Sequence, residues 1–415
     1  MSKRRVAITG QGIVSPLGND PKTFFAALMA GRSGIGRLQS DYTEQLDCKI
    51  AAQSSIDPLA HFSKSEAAAL DRVSQFALIA ARQSIACAGI DPAQLNLART
   101  GICFGTGMAG AGALDDAYAR LYREGASRLK PFTILMAMNG AAASQIALEL
   151  KLAGPNLTYS TACSSSSVAI GEAFRLIRDG YADTMLAGGA EALLTFGTIR
   201  AWEALRTLAK EDINDPATSC KPFSADRSGL VLGEGAAILV LEEWDAAVAR
   251  GANILAELVG YGSSNDSAHI TQPSVAGQSA AMKAALADAA LAPEAIGYIN
   301  PHGTGTVLND RTETAAIKEV FGEHAYRTPI SSTKSMHGHL MGASGAVEFV
   351  VCLEALRQQA VPPTQHLLSS DPDCDLDYVP CVGRSNVKLD YVMSNSFAFG
   401  GTCAVLVAKA VPRQL

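Results

Sequence analysis

The chemistry this chain could do rests on one cysteine, two histidines and a lysine. Cys163 stands in Thr161-Ala162-Cys163-Ser164-Ser165-Ser166-Ser167, between a run expected as a strand (156–160) and one expected as a helix (168–178). A helix N-terminus carries unpaired N–H groups and partial positive charge, and both favour a thiolate. A cysteine held there is expected to be a nucleophile near neutral pH, and its small neighbours would let a bulky acyl group approach. The plain alternative is a buried cysteine at a helix start.

Pro301-His302-Gly303-Thr304-Gly305-Thr306 holds a histidine on a tight loop after an expected strand (296–301), with two threonines able to bond a polar ligand arm. Lys334-Ser335-Met336-His337-Gly338-His339 supplies a lysine and two more histidines. His339 is the expected reactive ring, and His337 a surface or supporting one. As metal ligands these two lack neighbouring partners. Asn395-Ser396-Phe397-Ala398-Phe399-Gly400-Gly401-Thr402 sets two aromatics ahead of a glycine pair, where the backbone can bend sharply and expose N–H groups.

Two further patterns point elsewhere and are set aside. Gly105-Thr106-Gly107-Met108-Ala109-Gly110 fits a dinucleotide fingerprint but lies outside the first βα unit and lacks the later acidic residue. Ser331-Ser332-Thr333-Lys334 fits a serine acylase pattern but ends a strand rather than opening a helix.

The elements that must position these residues alternate. Strands are expected at 5–10, 100–105, 184–188, 236–242, 254–263, 330–332, 391–396 and 402–408, with helices at 21–30, 64–88, 142–150, 278–290, 311–321 and 342–358. Such alternation argues for layered α/β architecture. Both halves place a candidate residue just after a strand, which suggests a duplicated unit. No linker-like segment separates them. A net charge of −6 gives no basic face for nucleic acid, although Lys64, Arg206, Lys210 and Arg227 could form a local patch for an acidic carrier. The nine cysteines are irregularly spaced with no C-x-x-C, a reduced, cytoplasmic pattern, and Cys87, Cys103 and Cys352 read as core. No signal peptide or membrane-spanning stretch is expected.

Taken together and in this order, the motifs resemble the elongating β-ketoacyl-acyl carrier protein synthases, of the thiolase-like superfamily. The resemblance runs from Val6-Ala7-Ile8-Thr9-Gly10 to Phe399-Gly400-Gly401-Thr402, and includes Lys221-Pro222-Phe223-Ser224-Ala225-Asp226-Arg227-Ser228-Gly229 and Gly233-Glu234-Gly235. It implies a five-layered αβαβα fold of two similar halves, 1–252 with the nucleophile and 253–415 with the histidines and lysine. It implies a decarboxylative Claisen condensation with no permanently bound cofactor and no metal. The acyl and malonyl groups would arrive on the phosphopantetheine of an acyl carrier protein, and the partner in the dimer would be a second copy or a related synthase subunit.

By the same resemblance Cys163 takes the acyl group, and His302 and His339 stabilise the malonyl-derived enolate. The N–H groups of Cys163 and Phe399 form an oxyanion hole, and Lys334 tunes the histidines with Glu348 as counter-charge. Thr304 and Thr306 bond the arm, Phe399 gates the acyl pocket, Met108 lines it, and Asp310 and Glu313 shape the site through a cation or a hydrogen-bond network. Ala398, Cys403 and Gly305 depart from the family's usual Gly, Asn and Ser. Ala398 disfavours positive φ, which would alter the gate. These departures favour a specialised synthase building unsaturated or aryl-primed polyene chains. Two alternatives stay open: a non-elongating chain-length or initiation subunit, and a coenzyme A-dependent thiolase using Cys403 as its second cysteine.

Overall fold

Strand periodicity explains the layers of this computed structural model, which describes residues 3–412. Gly235–Glu243 and Thr402–Lys409 are buried almost throughout, and alternate residues feed different cores. Ala237, Leu239 and Leu241 share one apolar cluster with Phe349 and Leu406, whereas Ala236, Ile238 and Val240 belong to another. Ala404 and Leu406 face the first cluster, and Cys403, Val405 and Val407 face a third with Met282 and Ile299. Alternation without a polar face is what a strand between two helical layers requires.

Among the described residues one nine-stranded sheet is formed by β1 (Val6–Val14), β2 (Thr100–Gly105), β3 (Asn156–Tyr159), β4 (Thr184–Glu191), β5 (Gly235–Glu243), β6 (Ala256–Asn265), β7 (Ile296–Asn300), β8 (Tyr391–Phe397) and β9 (Thr402–Lys409). Its order is β3-β2-β4-β5-β1-β6-β9-β8-β7. Outward from β1 the successive pairings, through β5, β4 and β2 to β3, run antiparallel, antiparallel, parallel and parallel. Outward from β6, through β9 and β8 to β7, they run antiparallel, antiparallel and parallel. A parallel bridge from Ile299 to Ile330 then stands where a fifth strand would lie, and it is all that forms of the strand expected at 330–332. The two halves join where Val6, Ala7 and Ile8 pair with Leu258, Glu257 and Ala256.

Five helices complete the layers: α1 (Arg72–Ala88), α2 (Ser165–Arg178), α3 (Val275–Asp288), α4 (Val307–Phe321) and α5 (Ser344–Gln358). α1 covers the outer face of the first half, and α3, backed by α4, that of the second. α2 and α5 pack together between the halves, and α5 is buried from Ser344 to Leu356. The close approach depends on Gly345, where a Cβ would stand 2.0 Å from Ser167 Oγ. This is the five-layered αβαβα arrangement of two similar halves.

Local chemistry moves some boundaries. The helix expected over 64–88 breaks at Leu70, which is extended, because Asp71 caps a new helix by accepting from the Val73 N–H at 3.0 Å. Ser63 and Glu66 form a capping box at the first segment, Lys64–Ala69. Cys87 is exposed rather than core, while Cys103 and Cys352 are buried.

Candidate active site

Cys163 sits on a single 3₁₀ turn, Ala162–Ser164, between β3 and α2. Ala162, just before it, is in the left-handed region at φ +50°, an unfavourable backbone for a residue with a Cβ. Local bonds hold it there: Ser165 Oγ donates to the Ala162 carbonyl at 2.6 Å and accepts from the Thr161 N–H at 2.9 Å. The Cys163 sulfur is buried, 4.0 Å from the Met341 sulfur.

His302 follows β7 on a loop gripped by α4. Its N–H and that of Gly303 each donate to Glu313, at 2.8 Å and 2.8 Å. Asn309 and Asn395 side chains donate to the same carboxylate. Asp310 accepts from the N–H groups of Phe223 (2.8 Å) and Gly305 (3.3 Å) and lies 3.6 Å from the Arg227 guanidinium. Both acidic residues are therefore engaged with loop backbone through a hydrogen-bond network.

His339 Nδ1 accepts the Met341 N–H at 3.2 Å and lies 2.8 Å from Ser344 Oγ. An accepting Nδ1 leaves the ring proton on Nε2. That Nε2 is buried without a partner, and so is Nδ1 of His302. The two rings meet edge to face, 5.3 Å apart at 82°. One nitrogen from each ring and the Cys163 sulfur lie within 4.8 Å of one another. Three such donors can also hold a metal ion, but the nearby Lys334 ammonium opposes a cation there.

Lys334 is fully buried, donating to the His302 carbonyl at 2.5 Å and to Glu348. Burial, with the Lys334 charge added, pushes both histidines well below their ordinary value, so both rings are neutral at pH 7. Burial raises Glu348 to about 7 against the pull of Lys334, and Glu313 to about 7 against its N–H donors. Burial also raises the Cys163 thiol to about 12, with Lys334 and the Phe399 N–H pulling it down. This corrects the expectation of a depressed thiolate: loss of water in the closed chamber outweighs the helix terminus.

A cleft of about 260 Å³ leads from the trio to the surface. Thr304 and Thr306 line it with their hydroxyls 2.9 Å apart, opposite Phe397, Ala398 and Phe399. Ala398 keeps a negative φ, whereas Gly400 and Gly401 take left-handed values of +84° and +88°. The strain expected of Ala398 is thus absent, because the glycine pair makes the bend. Cys403 lines the cleft but stands outside the trio. Met108, expected in the acyl pocket, is half exposed and outside this cleft, its N–H held by Glu191 at 3.0 Å. His337 is buried rather than at the surface, bonded to Gly338 and Thr333. Arg227 is buried against Asp371, so it cannot join a docking patch, whereas Arg206 lies exposed at the cleft mouth.

Two residues went unread in the sequence. Glu191 is fully buried and ties the N–H groups of Gly107, Met108 and Gly342 together, so the G-x-G-x-x-G loop serves a carboxylate. Trp202 stacks on Phe399, ring centroids 6.2 Å apart at 25°.

A buried thiol facing two neutral imidazoles in this fold defines a thiolase-like condensing enzyme. The comparisons agree: residues 3–247 match the model of the beta-ketoacyl synthase N-terminal domain, and 255–368 that of its C-terminal domain. The chain belongs to the beta-ketoacyl synthase family. It is 45% identical to nodulation protein E of Rhizobium meliloti (strain 1021), over 98% of this chain and 100% of that protein. It is 42% identical to 3-oxoacyl-[acyl-carrier-protein] synthase 2 of Synechocystis, over 99% of each. The solved structure described as the ishigamide ketosynthase/chain length factor aligns at a TM-score of 0.92 and 33% identity, covering 99% of this chain and 100% of that one.

Proposed function

We propose that this chain is a 3-oxoacyl-acyl carrier protein synthase that elongates an acyl chain through Cys163. The Cys163 sulfur attacks an acyl thioester, and the carrier's phosphopantetheine thiol leaves. His302, whose Nδ1 has no fixed partner, is the ring able to take the thiol proton. Malonyl carrier then enters, and its carboxylate departs as carbon dioxide, leaving the electron pair as an enolate. Ring N–H groups of His302 and His339, the latter through Nε2, hold the enolate oxygen. The carbanion attacks the acyl carbonyl, whose oxygen takes the N–H groups of Cys163 and Phe399. Collapse frees the Cys163 sulfur and yields 3-oxoacyl carrier.

The supporting roles follow the geometry. Lys334 and Glu348 set the charge under the histidines, Asp310 and Glu313 fix the His302 loop, Thr304 and Thr306 bond the arm, and Phe399 gates the cleft. The phosphopantetheine is brought by the carrier. The observation that carries this reading is the trio itself, one nitrogen of each ring and the Cys163 sulfur within 4.8 Å of one another, with His302 Nδ1 and His339 Nε2 buried and unpartnered. His339→Ala is expected to accept an acyl group on Cys163 and His302→Ala to accept it more slowly, and once acylated both are expected to release carbon dioxide from malonyl carrier at least about a hundredfold more slowly. Unchanged release in either variant refutes the assignment.

The working unit is a dimer, with a second copy or a related subunit. Support comes from β3, an edge strand carrying exposed Leu157, and from the exposed Ile134, Leu135 and Met138. Met108, on the loop beside that strand, would serve an acyl pocket from this face. The halves 1–252 and 253–415 act as one body in the cytoplasm; no helix among the described residues is long and apolar enough to cross a membrane. A preference for polyenoyl over saturated primers is tested by acylating Cys163 from both carriers side by side.

A further inference from the structure

Asn309, on α4, orients a second amide in the cleft wall. Its Nδ2 donates to Asp310 at 3.2 Å and to Glu313 at 3.3 Å. Asp310, facing the Arg227 guanidinium at 3.6 Å, accepts only, so this amide does not flip, and its Oδ1 faces away. Oδ1 accepts from Gln278 Nε2, on α3, at 3.4 Å. Gln278 is fixed in turn, leaving its Oε1 as the free end. Gln278 is fully buried and lines the cleft, and its Oε1 has no partner. An unmade bond to a buried carbonyl oxygen is unfavourable, so a donor is expected in the working complex.

We propose that Gln278 Oε1 accepts an amide N–H of the carrier's phosphopantetheine arm, an inference that rests on the condensing function above. The occupant follows from the neighbours. The Asn309 N–H donates to Thr306 Oγ1 at 3.4 Å, so Gln278 continues the wall that Thr304 and Thr306 form. The acyl side is different: Cys163 is packed there against Leu193, Leu194, Ile199 and Met341, which offer a chain no polar contact. A hydrocarbon chain has no donor for Gln278, whereas the arm has two amide N–H groups.

The test compares malonyl thioesters of pantetheine and of butanethiol, which lacks amides, on enzyme acylated at Cys163. Gln278→Leu is expected to raise KM for the pantetheine thioester roughly tenfold, with kcat and the butanethiol substrate little changed. On wild-type enzyme, N-methylation of one of the two arm amides is expected to reproduce that loss, and Gln278→Leu to show no further loss with the methylated arm. An equal effect on both thioesters, or none, overturns the proposal and leaves Gln278 as packing around a water. An N-methyl series without effect on wild-type enzyme does the same without any variant. Failure of wild-type enzyme to release carbon dioxide from either substrate would instead overturn the condensing function.

Discussion

The Lys334 ammonium donates at 2.5 Å to the main-chain carbonyl oxygen of His302 and, on its other side, to Glu348. The lysine thus holds the histidine's peptide and acts on both rings only through its charge. That distinction separates it from an amine that reacts with substrate.

Lys334→Met strips Glu348 of its partner; already raised to about 7, the buried carboxyl is pushed higher and takes up a proton at neutral pH, so the loss is largest above pH 7. Breaking a buried pair from one side costs about 3–5 kcal/mol, more than removing both charges. Lys334→Met is therefore expected to be strongly destabilised in urea unfolding, and Lys334→Met with Glu348→Gln to be partly restored. A double variant as unstable as the sum of its parts contradicts the pairing.

Thiol acidity sets a pH dependence. With Cys163 raised to about 12, the thiolate fraction grows about tenfold per pH unit through the accessible range. Alkylation of Cys163 by iodoacetamide, followed by peptide mass spectrometry, is expected to climb from pH 7 to 9 without a plateau. The histidines, pushed well below 6.5, stay neutral in the folded chain from pH 6.5 to 8, so decarboxylation by pre-acylated enzyme is expected to vary over that range only through Glu313 and Glu348, both raised to about 7. Alkylation levelling off below pH 8 would mean that the thiol is ionised in the chamber.

Glu313→Gln keeps the side chain's shape but offers one acceptor where His302 and Gly303 present two N–H donors. Carbon dioxide release is expected to fall about tenfold, with a modest drop in melting temperature, since one buried bond is lost. Unchanged release would show that the loop holds without this carboxylate.

Leu157→Arg places a charge on the exposed edge of β3. Sedimentation is expected to shift from dimer toward monomer, with the fold retained by circular dichroism. A wild-type protein that sediments as a monomer removes the dimer from the account.

The trio that the fold brings together was legible because each member sits where a strand or tight turn ends among small residues: Cys163 after β3, His302 after β7, His339 behind Gly338. Glu191 was not, because its partners come from loops 84 and 151 positions away and nothing in Ala187-Gly188-Gly189-Ala190-Glu191 marks them. The break at Leu70 was hidden by apolar periodicity that continues across it, where Asp71 capping wins. The thiol's acidity was misread because a helix terminus is visible in a sequence and the dryness of a chamber is not. Motif order likewise says nothing of which cleft a side chain enters, and Met108 stands outside the one at the trio.

The most direct measurement is a single turnover with acyl and malonyl carriers, following the acyl adduct by intact-protein mass and carbon dioxide by isotope release. The account predicts an adduct on Cys163, lost in Cys163→Ala, and one carbon dioxide released for each 3-oxoacyl carrier formed. An adduct that never discharges with carbon dioxide release would mark a non-elongating subunit, and a product formed without it a thiolase; either contradicts the account.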